Sequence, residues 1–511
     1  MRPLQPSSVL LAGFLSAACL SPAVAAAKST LFEGGTIISF DDDSQTIKVL
    51  RDHSLLVTGD RIAAIFDTPS NATNVSIPAD AERVPATGKI ISPGFVDTHR
   101  HGWQTAYKTL GSNTTLGEYF SRYGEFTQAA TVFTPDDVYY GQLAGVYEAL
   151  NAGVTSILEH AHATFSNDTA RAYLNASLDS GVRMWWCYAF HTLDNGFSVP
   201  QQMANFRDLL ADERLQASTT VLPGIAYDAF ATGSADEVAA IVDLATSENI
   251  SAITTHYLGG PWFNANSPAK LNDLALLNGT TPIVFSHASY LTPEDAALLR
   301  THNHYISTTP ESEMHYGHGH ESTDLAADQA ALGVDTHFTF SSDILTQARL
   351  WLQSTRLKWF VQRLHEWSIP ATSPMSASQA FLLATRAGGL ALRRPDIGVL
   401  SPGAVADIVL FDGTAPNMLG WWDPVAAVIL HANVGDVKDV MVGGEWRKRD
   451  GELVLKQDRS VVEENFLKSA KRIQRVWLET PAPLLEGEYQ AGVRYERTHM
   501  VDVVRGNGTG Y

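Results

Sequence analysis

The chain has 511 residues, 45 % hydrophobic and 18 % charged, the composition of a large globular protein rather than a disordered one. Its 36 Lys and Arg against 55 Asp and Glu leave a net charge of −19, which makes nucleic acid and anionic membrane poor partners. Two cysteines, Cys19 and Cys187, exclude a disulfide-stapled scaffold and any four-cysteine zinc module.

Residues 1–27 carry one charge, Arg2, then an apolar run at 9–20 and the small-residue stretch Ala23-Val24-Ala25. That is the pattern of a secretory signal peptide, and the run is too short to span a bilayer. Asn-X-Ser/Thr sequons at Asn71, Asn74, Asn113, Asn167, Asn175, Asn249, Asn278 and Asn507 point the same way, toward a secreted or luminal glycoprotein. Residues 28–92 read as strands at 31–40, 54–57 and 61–66, with turns at Gly34-Gly35 and Asp60. From 93 to 395, short apolar runs at 153–158, 183–190, 219–226, 252–256, 282–286, 305–308 and 337–341 alternate with helical stretches such as 236–246 and 293–300. Sustained strand–helix alternation predicts an α/β fold, a (β/α)₈ TIM barrel. Strands return at 408–411, 425–429 and 437–442, so 396–458 is expected to join 28–92 in a small composite β-sandwich domain. The tail, 459–511, carries an amphipathic helix at about 460–478. Trp185-Trp186 and Trp421-Trp422 read as packing. Gly317-His318-Gly319-His320 reads either as a metal tract or as loop histidines.

The chemistry-bearing residues sit at predicted strand ends. His99 and His101 follow Phe95-Val96-Asp97-Thr98, and i and i+2 of a strand point to one side, so both imidazoles can hold one metal ion. His256 ends the run Ala252-Ile253-Thr254-Thr255, His287 ends Ile283-Val284-Phe285-Ser286, and Asp343 follows Phe338-Thr339-Phe340-Ser341-Ser342. The C-terminal strand ends of such a barrel form its active-site mouth. Imidazoles and a carboxylate there suit zinc or iron and can acidify a water molecule.

At these residues a family resemblance emerges. Ile91-Ser92-Pro93-Gly94-Phe95-Val96-Asp97-Thr98-His99-Arg100-His101 resembles the first-strand signature of the amidohydrolase superfamily, in the branch of cytosine and guanine deaminases and triazine hydrolases. The stretch from Gly398 through Ala406-Asp407-Ile408-Val409 is similar to that family's return into its small β domain, and Val440-Met441-Val442-Gly443-Gly444 to its last strand pair. The resemblance spans about 29–455. It implies one divalent metal ion, zinc or alternatively Fe²⁺, held by His99, His101, His256 and Asp343. It implies that His287 orients or deprotonates the water, that Asp343 shuttles a proton, and that Trp103 and Gln104 contact a heterocycle. No carboxylated-lysine motif for a second metal is visible.

One position departs from that pattern. The deaminases carry Glu three residues past the fifth-strand His, where this chain has Gly259. Glu313, in Thr309-Pro310-Glu311-Ser312-Glu313, is a candidate replacement acid or a solvated loop residue. Glu159, His160 and His162 either line the pocket or flank it. The expected activity is a secreted metal-dependent hydrolase, with activated water attacking an sp² carbon of a cyclic small molecule and cleaving a C–N bond. The alternative is a lyase, decarboxylase or isomerase on the same metal site. No nucleic-acid or membrane partner is expected, and homo-oligomerisation stays open.

Overall fold

The computed structural model describes residues 28–68, 75–319 and 321–501. The leader, Asn71, Asn74, His320 and Asn507 lie outside the described residues. Ser29–Asp41 (β1), Thr46–Thr58 (β2), Arg61–Asp67 (β3), Glu82–Pro85 (β4) and Lys89–Pro93 (β5) open the chain. β1 changes neighbour along its length: Thr30 to Glu33 pair with β4, and Thr36 and Ile37 pair with β5. Its register shifts at Gly35, and Gly34 has φ +69°, a backbone conformation natural only to glycine.

The barrel follows as eight parallel strands: Phe95–Arg100 (β6), Val154–Ala161 (β7), Arg183–Phe190 (β8), Val221–Tyr227 (β9), Ile253–Leu258 (β10), Ile283–Ser289 (β11), Tyr305–Thr308 (β12) and Ala330–Leu332 (β13). Strands covered on both faces read as continuous apolar runs, and β7, β8 and β11 are buried throughout. Alternation splits the tryptophan pair. Trp185 packs inside with Val96, Leu158 and Val284, whereas Trp186 joins the outer core under the helices. Cys187 is buried and free.

The eighth strand lies earlier than its apolar pattern suggests. Residues 337–339 form a turn, with Phe338 clamped against the rings of Tyr107 and Tyr123, each at 5.5 Å. An alternating Phe-Thr-Phe-Ser stretch mimics a strand, but aromatic packing determines its conformation.

Among the helices, Leu116–Arg122 (α1) and Pro135–Asn151 (α2) precede β7; Pro310–Tyr316 (α3) follows β12; Ile344–His365 (α4) follows β13; and Arg459–Glu479 (α5) lies in the tail. α2 starts on a capping box of Thr134 and Asp137 with Pro135 in its first turn. α5 belongs to the barrel's outer core. Trp477 is fully buried, 4.8 Å from the ring of Tyr107, and donates to the carbonyl of Arg122 at 2.7 Å.

Ile408–Asp412 (β14), Val437–Val442 (β15), Glu445–Arg449 (β16) and Glu452–Leu453 (β17) return to the first sheet. One hydrogen-bonded path runs β17-β16-β15-β14-β5-β1-β2-β3, with β14 antiparallel to β5. The expected strand at 425–429 is helical instead. Pro424–Ala426 and Ala427–His431 form helical turns, because Asp423 accepts from the N–H groups of Val425 and Ala426 as an N-cap ahead of Pro424. Trp421 packs partly, but Trp422 is 82 % exposed under the guanidinium of Arg51. No helix among the described residues is long and apolar enough to cross a membrane.

Candidate metal centre and its cavity

The centre is built on the seam that closes the barrel. The N–H groups of Val334 and Asp335 donate to the carbonyl of His99 at 3.1 and 2.8 Å, and His101 N–H donates back to the Asp335 carbonyl at 3.4 Å. Asp335 follows β13 in the left-handed region, φ +67°. Its Oδ1 lies 3.4 Å from His99 Nε2 and 3.1 Å from His101 Nε2. His256, in β10, brings its Nε2 to 3.2 Å from that of His99.

The far nitrogens of these rings are held from behind. His101 Nδ1 meets the carbonyl of His160 at 2.9 Å, His256 Nδ1 meets Asp228 Oδ2 at 2.8 Å, and His99 Nδ1 meets Ser286 Oγ at 2.8 Å. A carbonyl can only accept, so the proton of neutral His101 is on Nδ1 and its Nε2 carries a lone pair. That lone pair faces a carboxylate oxygen at 3.1 Å. Two acceptors this close require a cation or a proton between them. Burial lowers His99 well below the usual imidazole range, so this ring stays neutral. Burial would raise Asp335, but His101 and His99 outweigh it and hold the carboxyl well below its usual range. Three imidazoles and one carboxylate, each oriented by a partner behind it, fit a divalent ion of the zinc type.

His287 stands at the edge of this group. Its backbone is left-handed, φ +67°, and its Nδ1 lies 3.0 Å from Thr309 Oγ1 and 3.5 Å from Glu313 Oε1. Its Nε2 is 3.9 Å from Asp335 Oδ2. Strain at such positions is typical of sites where a side chain must be aimed.

The structure separates several expected residues from this centre. Asp343 is the N-cap of α4, accepting from Thr346 N–H at 2.6 Å, Thr346 Oγ1 at 2.9 Å and Ser341 Oγ at 2.7 Å. The carboxylate at the eighth strand is therefore Asp335. Glu313 does not line the cavity. Its carboxylate folds back over the start of α3 onto Thr309 N–H at 2.8 Å and Thr308 Oγ1 at 3.0 Å, behind His287. Helix α3 starts directly after β12, and the N–H of its N-cap residue, Thr309, draws the carboxylate inward. Trp103 is fully buried among Tyr107, Phe133 and Phe165. Gln104 donates to Tyr119 Oη at 2.9 Å and the Tyr123 carbonyl at 3.1 Å. Neither lines the cavity; Gln104 reaches it only through Tyr119.

Other residues take their place. The cavity, about 320 Å³, opens over the centre between Tyr119, Phe120, Phe126, Phe190 and Tyr316. His160 of the second strand and His162 just past its end line it, while Glu159 points outward to Gly102 N–H and the Tyr173 hydroxyl. His318, within the Gly-His-Gly-His tract, is buried with its ring 4.5 Å from that of His287. Sequence reading missed Asp335, Asp228 and Glu125. Asp228 directly follows β9, a strand-end signal that was readable. Glu125 lies in a connecting segment and carries no such signal.

A metal-ligand set at the C-terminal mouth of a (β/α)₈ barrel, with a composite sheet beside it, defines a metal-dependent hydrolase. The chain belongs to the Amidohydrolase family, whose sequence profile matches residues 90–447. It is thereby a hydrolase acting on carbon–nitrogen bonds. Among curated relatives, it is 23 % identical over 432 residues to a 5-methylthioadenosine/S-adenosylhomocysteine deaminase of Pelotomaculum thermopropionicum, covering 81 % of this chain and 92 % of that one. Among solved structures it resembles a zinc-bound adenosine deaminase from Xanthomonas campestris, with TM-score 0.73 and 20 % identity, over 88 % of this chain and 99 % of that one. It also resembles a zinc complex of an atrazine chlorohydrolase from Arthrobacter aurescens, with TM-score 0.70 and 17 % identity, over 86 % of this chain and all of that one.

Proposed function

We propose that the protein removes an amino group hydrolytically from an uncharged nitrogen heterocycle of purine or triazine size. The observation that carries this reading is the composition of the cavity. Aromatic rings wall it, imidazoles and carboxylates line it, and no lysine or arginine is among its lining residues. Such a site stacks a flat ring and hydrogen-bonds its N–H groups, but offers nothing to a phosphate or carboxylate. The deaminase and triazine-hydrolase names of the relatives agree with this.

His99, His101, His256 and Asp335 would hold one zinc ion. When bound, it supplies Lewis acidity that makes a water molecule nucleophilic near neutral pH. His287 keeps its Nδ1 on Thr309 and Glu313, so its Nε2 lone pair is turned into the cavity to accept the proton of that water. Asp335, held by Ser312 Oγ at 2.5 Å, relays a proton from its second oxygen. Aromatic walls exclude bulk water from the reacting ring.

The test is ammonia release by zinc-loaded protein from adenosine, 5′-methylthioadenosine and guanine, with atrazine as a chloride-releasing comparison. Turnover of none of these, together with turnover of an anionic analogue such as AMP, refutes the reading. Gly259 in place of a strand-five acid leaves the proton donor of this hydrolysis to another residue. Incorporation of ¹⁸O from labelled water into the product checks the hydrolytic step. We also propose entry into the secretory pathway, supported by the leader pattern and by the exposure of Asn113, Asn167, Asn249 and Asn278. A mobility shift on deglycosylation tests it.

A further inference from the structure

We infer that Glu125 is the carboxyl group that meets the substrate in this cavity and passes a proton to its nitrogen. The inference rests on the deaminase reading above and names the acid that reading lacks. Gly259 cannot supply one, and the space there is closed. A Cβ at Gly259 would lie 3.1 Å from Tyr290 Cβ and 3.2 Å from the Ser289 carbonyl, tighter than ordinary contact. Glu313 is turned away behind His287.

Four carboxylates line the cavity. Asp335 is engaged by His99 and His101, and Asp228 by His256 and His160. Glu237 accepts from the Tyr227 hydroxyl at 2.7 Å. Glu125 is the remaining one. It sits just past α1 and lines the cavity together with Tyr119, Phe120 and Phe126, with its side chain only 10 % exposed. Its Oε2 is 3.6 Å from His162 Nδ1, beyond hydrogen-bond reach, and both nitrogens of buried His162 lack a hydrogen-bond partner. The His162 ring in turn stacks on His101, 4.0 Å away at 16°. A carboxyl and an unsatisfied imidazole thus flank the metal ligand His101 on the cavity wall, where a bound heterocycle would satisfy both.

The surroundings favour the acid form. Burial raises the Glu125 carboxyl above its usual range and Asp228 adds to this, while a hydrogen bond from its own backbone N–H, together with His256 and His101, opposes it. In the reaction, water oxygen bonds to the amino-bearing carbon and the carbon–nitrogen bond breaks. The Glu125 proton goes to the substrate nitrogen and the amine leaves as ammonia. The proton that His287 takes from water returns to the carboxyl, so water and the amino compound become a carbonyl compound and ammonia with nothing else consumed.

The experiment compares zinc-loaded wild type with Glu125→Gln, Glu125→Asp and Glu125→Ala, using adenosine, 5′-methylthioadenosine and guanine as probes. Glu125→Gln is expected to keep its zinc, to lower kcat by about 10²-fold or more, and to lose the alkaline limb of the pH–rate profile. Glu125→Asp is expected to recover part of the rate with that limb intact. A wild-type rate and profile in Glu125→Gln, or loss of zinc along with activity, overturns the assignment. If wild type turns over none of the probes, the deaminase reading falls and calorimetric binding of the same probes decides the contact. At least tenfold weaker binding in Glu125→Ala supports it. Equal affinity, or no binding to wild type, overturns it.

Discussion

His101 and Asp335 face each other at 3.1 Å across the barrel's closing seam, each presenting an acceptor to the other. The same seam hydrogen bonds that complete the sheet set this separation. Ligand geometry and barrel closure are therefore one structural event.

Asp335→Ala should abolish both zinc content and activity, since removing one ligand from a four-ligand site leaves it incomplete. Asp343→Ala should keep its zinc and lose only about 1 kcal/mol of stability, the worth of a helix N-cap. Metal analysis and urea denaturation of the two variants decide it. Zinc lost from Asp343→Ala and retained in Asp335→Ala would reverse the assignment.

His287→Ala should retain zinc and lose roughly 10²–10⁴-fold in kcat, the usual contribution of a positioned base. A metal-free variant would instead make His287 a ligand. Glu313→Gln, behind that ring and outside the cavity lining, should lower the rate less.

Asp228 holds His256 at 2.8 Å and His160 at 3.3 Å. Burial would lower the His256 imidazole, but Asp228 reverses this and raises it to about 8. Asp228→Asn should weaken zinc binding by about 10–100-fold, the typical cost of losing a partner behind a ligand histidine. Chelator competition measures this, and an unchanged affinity would contradict it.

Burial raises the Glu159 carboxyl to about 7 from an ordinary 4.5, and its Oε2 has no hydrogen-bond partner. A raised folded-state value means that the native protein binds this proton more tightly than the unfolded chain. The resulting stability is fully present below about pH 4.5 and is lost as pH rises toward 7. Glu159→Gln keeps a carbonyl oxygen for Gly102 and Tyr173 but cannot ionise. Wild type should therefore lose stability relative to Glu159→Gln, by on the order of 3 kcal/mol, between these limits. Denaturation curves at several pH values check it, and parallel pH dependences would exclude it.

Trp477→Ala should cost about 3–5 kcal/mol, as for other buried aromatic truncations. An effect below about 1 kcal/mol would show that α5 is not part of the core.

Local pattern carried much of this. The strand ending in His99 and His101 is legible because both faces of a barrel strand are covered, and i, i+2 side chains share a side whatever surrounds them. His256 and His287 follow from the same rule, and the strands at 183–190 and 305–308 were readable to the residue. Other features depend on contacts between distant segments. Asp335 rather than Asp343 became the eighth-strand carboxylate because Phe338 packs into an aromatic cluster and turns the chain, leaving Asp343 to cap a helix. Glu313 was drawn inward by the N-terminus of α3, and Trp103 was absorbed into the core. Glu125 has no periodic context at all. Its place beside His162 depends on how the segment after β6 folds across the barrel mouth, a packing outcome that no spacing along the chain encodes.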